Sequence, residues 1–136
     1  MAHVTKGKEF IVEIRDEVGA GAAALETLSK QRINLACFVG YGVPGGKAYP
    51  PSGAGGSRSA RRRLSPRRDI AVQIHDAILY VAEDRPGLAA DVLRTLADAG
   101  ISVEHCYATS VGATNALLVI RTKDDDRATA ALSDRA

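Results

Sequence analysis

The chain has 136 residues, room for one ordinary domain or two very small ones, and its 46% apolar and 25% charged content is that of a globular protein. Aromatics make up only 4% and Trp is absent, so a core must be built from Ala, Val, Leu and Ile. No apolar run reaches the length that spans a bilayer, and the opening MAHVTKGKEF lacks the apolar stretch of a secretory leader, so a cytoplasmic protein is expected.

The net charge of +2 averages two different materials. Six arginines, Arg58, Arg61, Arg62, Arg63, Arg67 and Arg68, crowd one Pro/Gly/Ser-rich tract. Removing them leaves 12 basic residues against 16 acidic ones, a net charge of −4 for the remainder. The two cysteines, Cys37 and Cys106, fit reduced thiols better than a disulfide framework.

Sliding the chain against itself exposes a repeat at an offset of 68 residues without a gap. Asp16, Gly19, Ala22, Leu25, Thr27, Leu28, Ile33 and Ala48 fall on Asp84, Gly87, Ala90, Leu93, Thr95, Leu96, Ile101 and Ala116. In chain order, Phe10 to Ile14 reads as a strand ending at an acidic turn. A helix follows with Ala22, Leu25 and Leu28 as its apolar stripe. Its end is expected to be less clean than in the second copy, because Arg32 stands where the second copy has Gly100. INLACFV is the next strand, and IAVQIHD, Ile70 to Asp76, reads as a closing strand.

The second copy repeats the pattern more clearly. Ile78 to Ala82 is a strand, and Leu88, Val92, Leu93 and Leu96 mark the inner face of a helix whose outer face carries Asp91, Arg94 and Asp98. ISVEHCYA is a strand, VGAT a turn, NALLVIRT a buried third strand, and Asp124, Asp125 and Asp126 suit the start of a last helix. The expected class is α+β, in tandem ferredoxin-like βαββαβ units, each an antiparallel sheet with helices on one face. The boundaries expected are 9–76 and 77–136, with the first unit degraded at 50–69 and the second lacking its last strand. That missing strand leaves Ile78 to Val81 as an expected open edge that invites a homodimer.

The stretch EDRPGLAADVLRTLADAGISVEHCYA resembles the ACT domain, the small amino-acid-sensing module of metabolic regulation. The resemblance rests on an acid-x-Pro-Gly turn after a strand, a helix ending in Ala-Gly, and an apolar strand beginning at once. RDEVGAGAAALETLSKQRINLACFV is a weaker copy, with Val18 for the Pro and Arg32 for the Gly. The whole chain is similar to short proteins made of two ACT domains, and the resemblance covers Glu9 to Ile120 apart from the arginine tract. It implies a non-catalytic regulator, with no cofactor and no metal, that binds an amino acid where ACT domains pair. The site residues it implies are Asp84, Arg85, Pro86, Gly87 and Leu88, with Asp16, Glu17, Val18 and Gly19 as the second loop. Asn34 and Ser102, at the starts of the facing strands, are the polar groups it implies beside the ligand. The plainer reading of the same residues is a turn shaped by Pro86 and Gly87 and solvated by Asp84.

Other chemistry has less support. His3, His75 and His105 lie in no nucleophile motif, and adjacent strand residues His105 and Cys106 project to opposite faces, which bars them from one ion. Residues 58–68 offer a second reading, a protein-interaction or nucleic-acid-associated module, since clustered arginines neutralise phosphates. The tract carries no aromatic for base stacking, so nucleic acid is the less favoured partner. By the repeat, Ala48 to Arg68 lies over Ala116 to Ala136, the seat of a strand and a helix. Pro50 and Pro51 argue against a central strand there. Length is kept while chemistry is lost, as a local shift of reading frame would produce; a natural disordered insert is the alternative.

Overall fold

The computed structural model describes residues 2–43, 47–49, 51–53 and 71–135. In chain order the elements are β1 (His3–Arg15), α1 (Ala20–Lys30), β2 (Cys37–Phe38), β3 (Tyr41–Val43), β4 (Lys47–Tyr49), β5 (Pro51–Gly53), β6 (Ala71–Glu83), α2 (Leu88–Asp98), β7 (Val103–Val111), β8 (Asn115–Thr122) and α3 (Asp125–Ser133). This is the expected α+β class, with antiparallel pairing and, among the described residues, three helices. The chain divides into two compact units, Lys8–His75 and the combination of Met1–Gly7 with Asp76–Ala136.

The C-terminal unit shows why the sequence pattern folds as it does. Strand β8 lies between β6 and β7, with Tyr80 opposite Leu118 on one side and Cys106 opposite Ile120 on the other. Alternate residues Ile78, Tyr80, Ala82, Ala116, Leu118 and Ile120 face the helices, and Leu88, Val92, Leu96, Ala128 and Leu132 close over them. Leu117 and Val119, which alternate with Ala116, Leu118 and Ile120 along β8, are buried too, so ALLVI is an unbroken buried run. Helix α3 starts as its acids require: the Asp124 carboxylate accepts the Arg127 N–H at 3.1 Å, and Asp125 and Asp126 occupy the first turn. Asp125 also accepts from the Thr122 hydroxyl at 2.7 Å, which ties the helix start to the end of β8.

The second neighbour of β6 comes from the opening residues of the chain. Residues His3–Gly7 of β1 belong to this unit and lie beside β6, giving the strand order β1-β6-β8-β7. Ala2 and Val4 pack on its core, and the Lys6 ammonium pairs with the Asp126 carboxylate on α3. That hydrogen bond and charge raise the Lys6 pKa above its usual 10.5, so the pairing contributes below that pH and is lost as pH rises through the folded value. The expectation of an open edge at Ile78 to Val81 is therefore corrected: β6 has neighbours on both sides.

The N-terminal unit has the order β2-β5-β1-β6. Phe10 and Leu28 form its buried core with Leu25, Ile33, Leu35, Val72 and Ile74, so the expected closing strand is present within β6. The repeat places a third strand at 47–54, and the structure has two three-residue pieces there. Lys47 and Ala48 pair with Arg15 and Ile14, and Pro51 to Gly53 pair with Ile11 to Glu9. The expectation that prolines exclude a central strand is thus corrected: β5, which begins at Pro51, sits between β2 and β1. The arginines and the question of reading frame lie outside the described residues.

Two helix faces differ from expectation. Leu93 is 38% exposed, and Thr95 is buried in its stead with its hydroxyl on the Asp91 carbonyl at 2.8 Å. Ala22 is exposed, and Ala24 lines the core side of α1. Both helices end in a left-handed residue, Gly100 with φ 70° and Arg32 with φ 55°, and the expectation of a less clean end at Arg32 is corrected. In both copies the same six-residue closure forms, Ile101 N–H to the Leu96 carbonyl at 2.9 Å and Ile33 N–H to the Leu28 carbonyl at 3.0 Å.

Arg32 therefore bears a left-handed backbone that glycine adopts freely. Arg32→Gly is expected to stabilise the N-terminal unit by about 1 kcal/mol and Gly100→Arg to destabilise the other by a similar amount, read by urea denaturation. Deleting residues 2–6 is expected to free the β6 edge of the C-terminal unit and drive concentration-dependent self-association in light scattering. A truncated chain with the same oligomeric state as the intact chain at every concentration would show that β6 needs no neighbour there.

Candidate functional site

The loop between β6 and α2 carries Asp84, Arg85, Pro86 and Gly87, all exposed, while Leu88 turns inward to the core. Gly87 has φ 85°, the left-handed conformation that reverses the chain into the helix, and its carbonyl accepts the Asp91 N–H at 2.9 Å. The loop is pinned at its start, where the Asp84 N–H donates to the Thr114 carbonyl at 2.8 Å. The Ser110 hydroxyl donates to the Asp84 carboxylate at 3.5 Å. Arg85 folds back onto the first helical turn, its guanidinium 2.5 Å from the Asp91 carboxylate. Both side chains are more than half exposed, so this pair orients Arg85 more than it stabilises the fold.

The second loop, Asp16 to Gly19, has the same form. Gly19 has φ 86°, and its carbonyl accepts the Ala23 N–H at 3.0 Å. Val18 in place of Pro leaves the turn unchanged and is fully exposed. In both loops the helix begins directly after the glycine, so the first-turn N–H groups and the positive end of the helix face the loop.

Within its own unit each loop is far from its expected polar partner. Glu83 pairs with Asn115 at the start of β8, whereas Val103, just after Ser102, pairs with Thr122 at its end. Ser102 thus lies at the opposite end of the sheet, about 20 Å along the strand direction. Asn34 is likewise remote from Gly19, since Cys37 and Glu9 both pair with Gly53, at the far end of β1 from Arg15. Both polar residues are exposed. The partners that do reach the first loop, Ser110, Thr114 and Asp91, carry no sequence signal beyond being short polar groups on the neighbouring turn and helix.

A cavity of about 350 Å³ opens in the N-terminal unit beneath α1. Val12, Ala24, Leu25 and Leu28 form its floor and wall, and Asp16, Glu17 and Arg15 stand at its rim. Sequence reading missed it because the signal is one of size: Ala20 and Ala24 stand where the second copy has Leu88 and Val92.

Cys106 and His105 project from β7 to opposite faces. Cys106 packs on the core, and the His105 ring lies 5.2 Å from that of Tyr107. A register shift between Val103 and His105 lets both Val103 and Cys106 face inward. Among the described residues no three His, Cys, Asp or Glu side chains cluster as a metal site, and no helix is long and apolar enough to cross a membrane.

The family model of the ACT domain matches residues 77–136, so an ACT domain is found there. Three solved structures share the fold of the chain. Protein BT0572 from Bacteroides thetaiotaomicron is 22% identical with a TM-score of 0.82, covering 97% of this chain and 90% of that one. The regulatory subunit of aspartate kinase from Thermus thermophilus, in its ligand-free form, is 15% identical with a TM-score of 0.70, covering 98% and 95%. The corresponding subunit from Thermus flavus is 15% identical with a TM-score of 0.65, with the same coverage. No curated protein matches the chain by sequence.

Burial pushes the Cys106 thiol above its ordinary pKa, so it holds its proton at neutral pH. At about pH 8, iodoacetamide is expected to alkylate Cys106 several-fold more slowly in the folded chain than in urea, by peptide mapping. Equal rates would place the thiol in solvent.

Proposed function

We propose that the chain is a non-catalytic regulatory protein that senses a free amino acid. In this reading it comprises two ACT units, near 9–76 and 77–136, and works as a cytoplasmic homodimer with the ligand held where ACT units pair. The observation that carries it is the repeated loop. Two strand-to-helix turns, one of them inside the ACT match, place glycine at the same left-handed angle. The Leu88 and Ala20 N–H groups donate to the loop carbonyls of Arg85 and Glu17, and the next N–H groups of each first turn are the ones that can take a ligand. Such a turn accepts a carboxylate without a side-chain cation, because the unpaired N–H groups and the helix dipole supply the positive field.

The roles follow from that geometry. Gly87 and Gly19 let a ligand approach the backbone, and Asp84 and Asp16 supply the negative charge that an ammonium group requires. Pro86 and Val18 shape the loop tips, Arg85 and Glu17 flank them, and Leu88 anchors the first loop to the core. Ser102 and Asn34 would serve a ligand bound by the loop of a different unit. Two of the similar structures are regulatory subunits of aspartate kinase, which accords with a sensing role coupled to a partner enzyme.

A thermal-shift screen against the proteinogenic amino acids at millimolar concentration tests this reading. At least one is expected to stabilise the chain, by about 2.7 kcal/mol at a hundredfold excess over its Kd, and Gly87→Val is expected to weaken that effect. No stabilisation by any amino acid would refute it.

A further inference from the structure

The two units use the same fold but fill the space beneath their first helix differently. In the C-terminal unit Tyr80, Leu88, Val92 and Leu96 join Ala128 and Leu132 in a continuous core. The aligned positions of the N-terminal unit hold Val12, Ala20, Ala24 and Leu28, three of them smaller. The result is the cavity of about 350 Å³, at the small end of the range of about 300–1,000 Å³ that ligand sites occupy. A smaller space in the C-terminal unit, about 260 Å³, shares the four aligned positions Tyr80, Arg85, Leu88 and Val92 but opens towards Leu132 and Arg135.

We infer that the N-terminal unit's cavity receives the side chain of an apolar amino acid, branched aliphatic or aromatic, and that this unit sets the ligand class. The inference rests on the amino-acid-binding reading above and adds which ligands are taken and where. Two features of the cavity point to that occupant. Its described walls are aliphatic except at the outer edge, where Phe38 and Tyr41 are each at least half exposed. Its rim carries charges of both signs, Asp16 and Glu17 beside Arg15, matching the ammonium and carboxylate of a zwitterion whose body lies inside. A charged or short polar side chain would have to leave water for Val12, Ala24 and Leu28 with no partner, which is costly.

Methyl NMR of the full chain tests this, with leucine, isoleucine and phenylalanine against aspartate, lysine and threonine as probes. Two variants fill the cavity: Ala24→Leu, and Gly21→Leu, where a Cβ meets no other atom within 4 Å. The expected result is binding of the apolar set, with shifts at the Ala24 and Leu28 methyls, and at least about tenfold weaker binding in both variants while their spectra stay folded. Binding of polar amino acids, or binding that neither variant weakens, overturns the inference and leaves the sensing function standing. No binding by any of the six overturns the inference, and the wider screen then decides the sensing function separately.

Discussion

The structure depends on the strand that pairs with the flank of β6 away from β8. A βαββα segment of about sixty residues leaves one flank of its first strand without backbone partners, and a buried strand with unpaired N–H and C=O groups is not tolerated. Here the chain's own N-terminus fills the position: His3–Gly7 lies beside β6, Val4 joins the core, and Lys6 reaches Asp126 on the last helix. The ACT match at 77–136 thus describes a unit whose sheet includes residues from the other end of the chain. The N-terminal unit needs no such loan, since Ala71–His75 follows its own fold in sequence.

Repetition and divergence divide cleanly between backbone and side chains. Glycine before each first helix has φ within a degree of its counterpart, and each helix ends in the same left-handed residue, even where that residue is Arg32. Thr27 and Thr95 both return their hydroxyls to the carbonyl four residues earlier, at 2.8 Å. What differs is volume beneath the helix. Alanines in one copy stand for leucine and valine in the other, and the space beneath the helix is larger where the alanines stand, while the turn above it is unaltered.

The candidate loops illustrate how far a motif reaches. Acid-x-Pro-Gly foretold the turn at Asp84 to Gly87, because glycine alone takes that angle at no cost and the helix must begin at once. Nothing in the motif foretold Ser110 and Thr114, which arrive from a hairpin distant in sequence. Ser102 immediately precedes β7, whereas Asn34 lies three residues before β2, and antiparallel register carries both to the other end of their own sheets.

By itself the sequence determined what is local: the strand-helix-strand pattern common to both copies, the acidic start of α3, and a repeat whose glycines and Arg32 mark fixed backbone angles. Only the tertiary structure decided what is non-local. It turned Thr95 inward where Leu93 was expected, gave β5 a central place despite Pro51, and chose the N-terminus as the strand beside β6. The reason is physical: backbone angles and amphipathic periods are properties of neighbouring residues, whereas a strand's partner is fixed by whichever distant segment satisfies its hydrogen bonds and buries its face. Residues 3–7, His-Val-Thr-Lys-Gly, have Val4 as their one apolar side chain and no alternating period, so nothing local in them says which edge they will close.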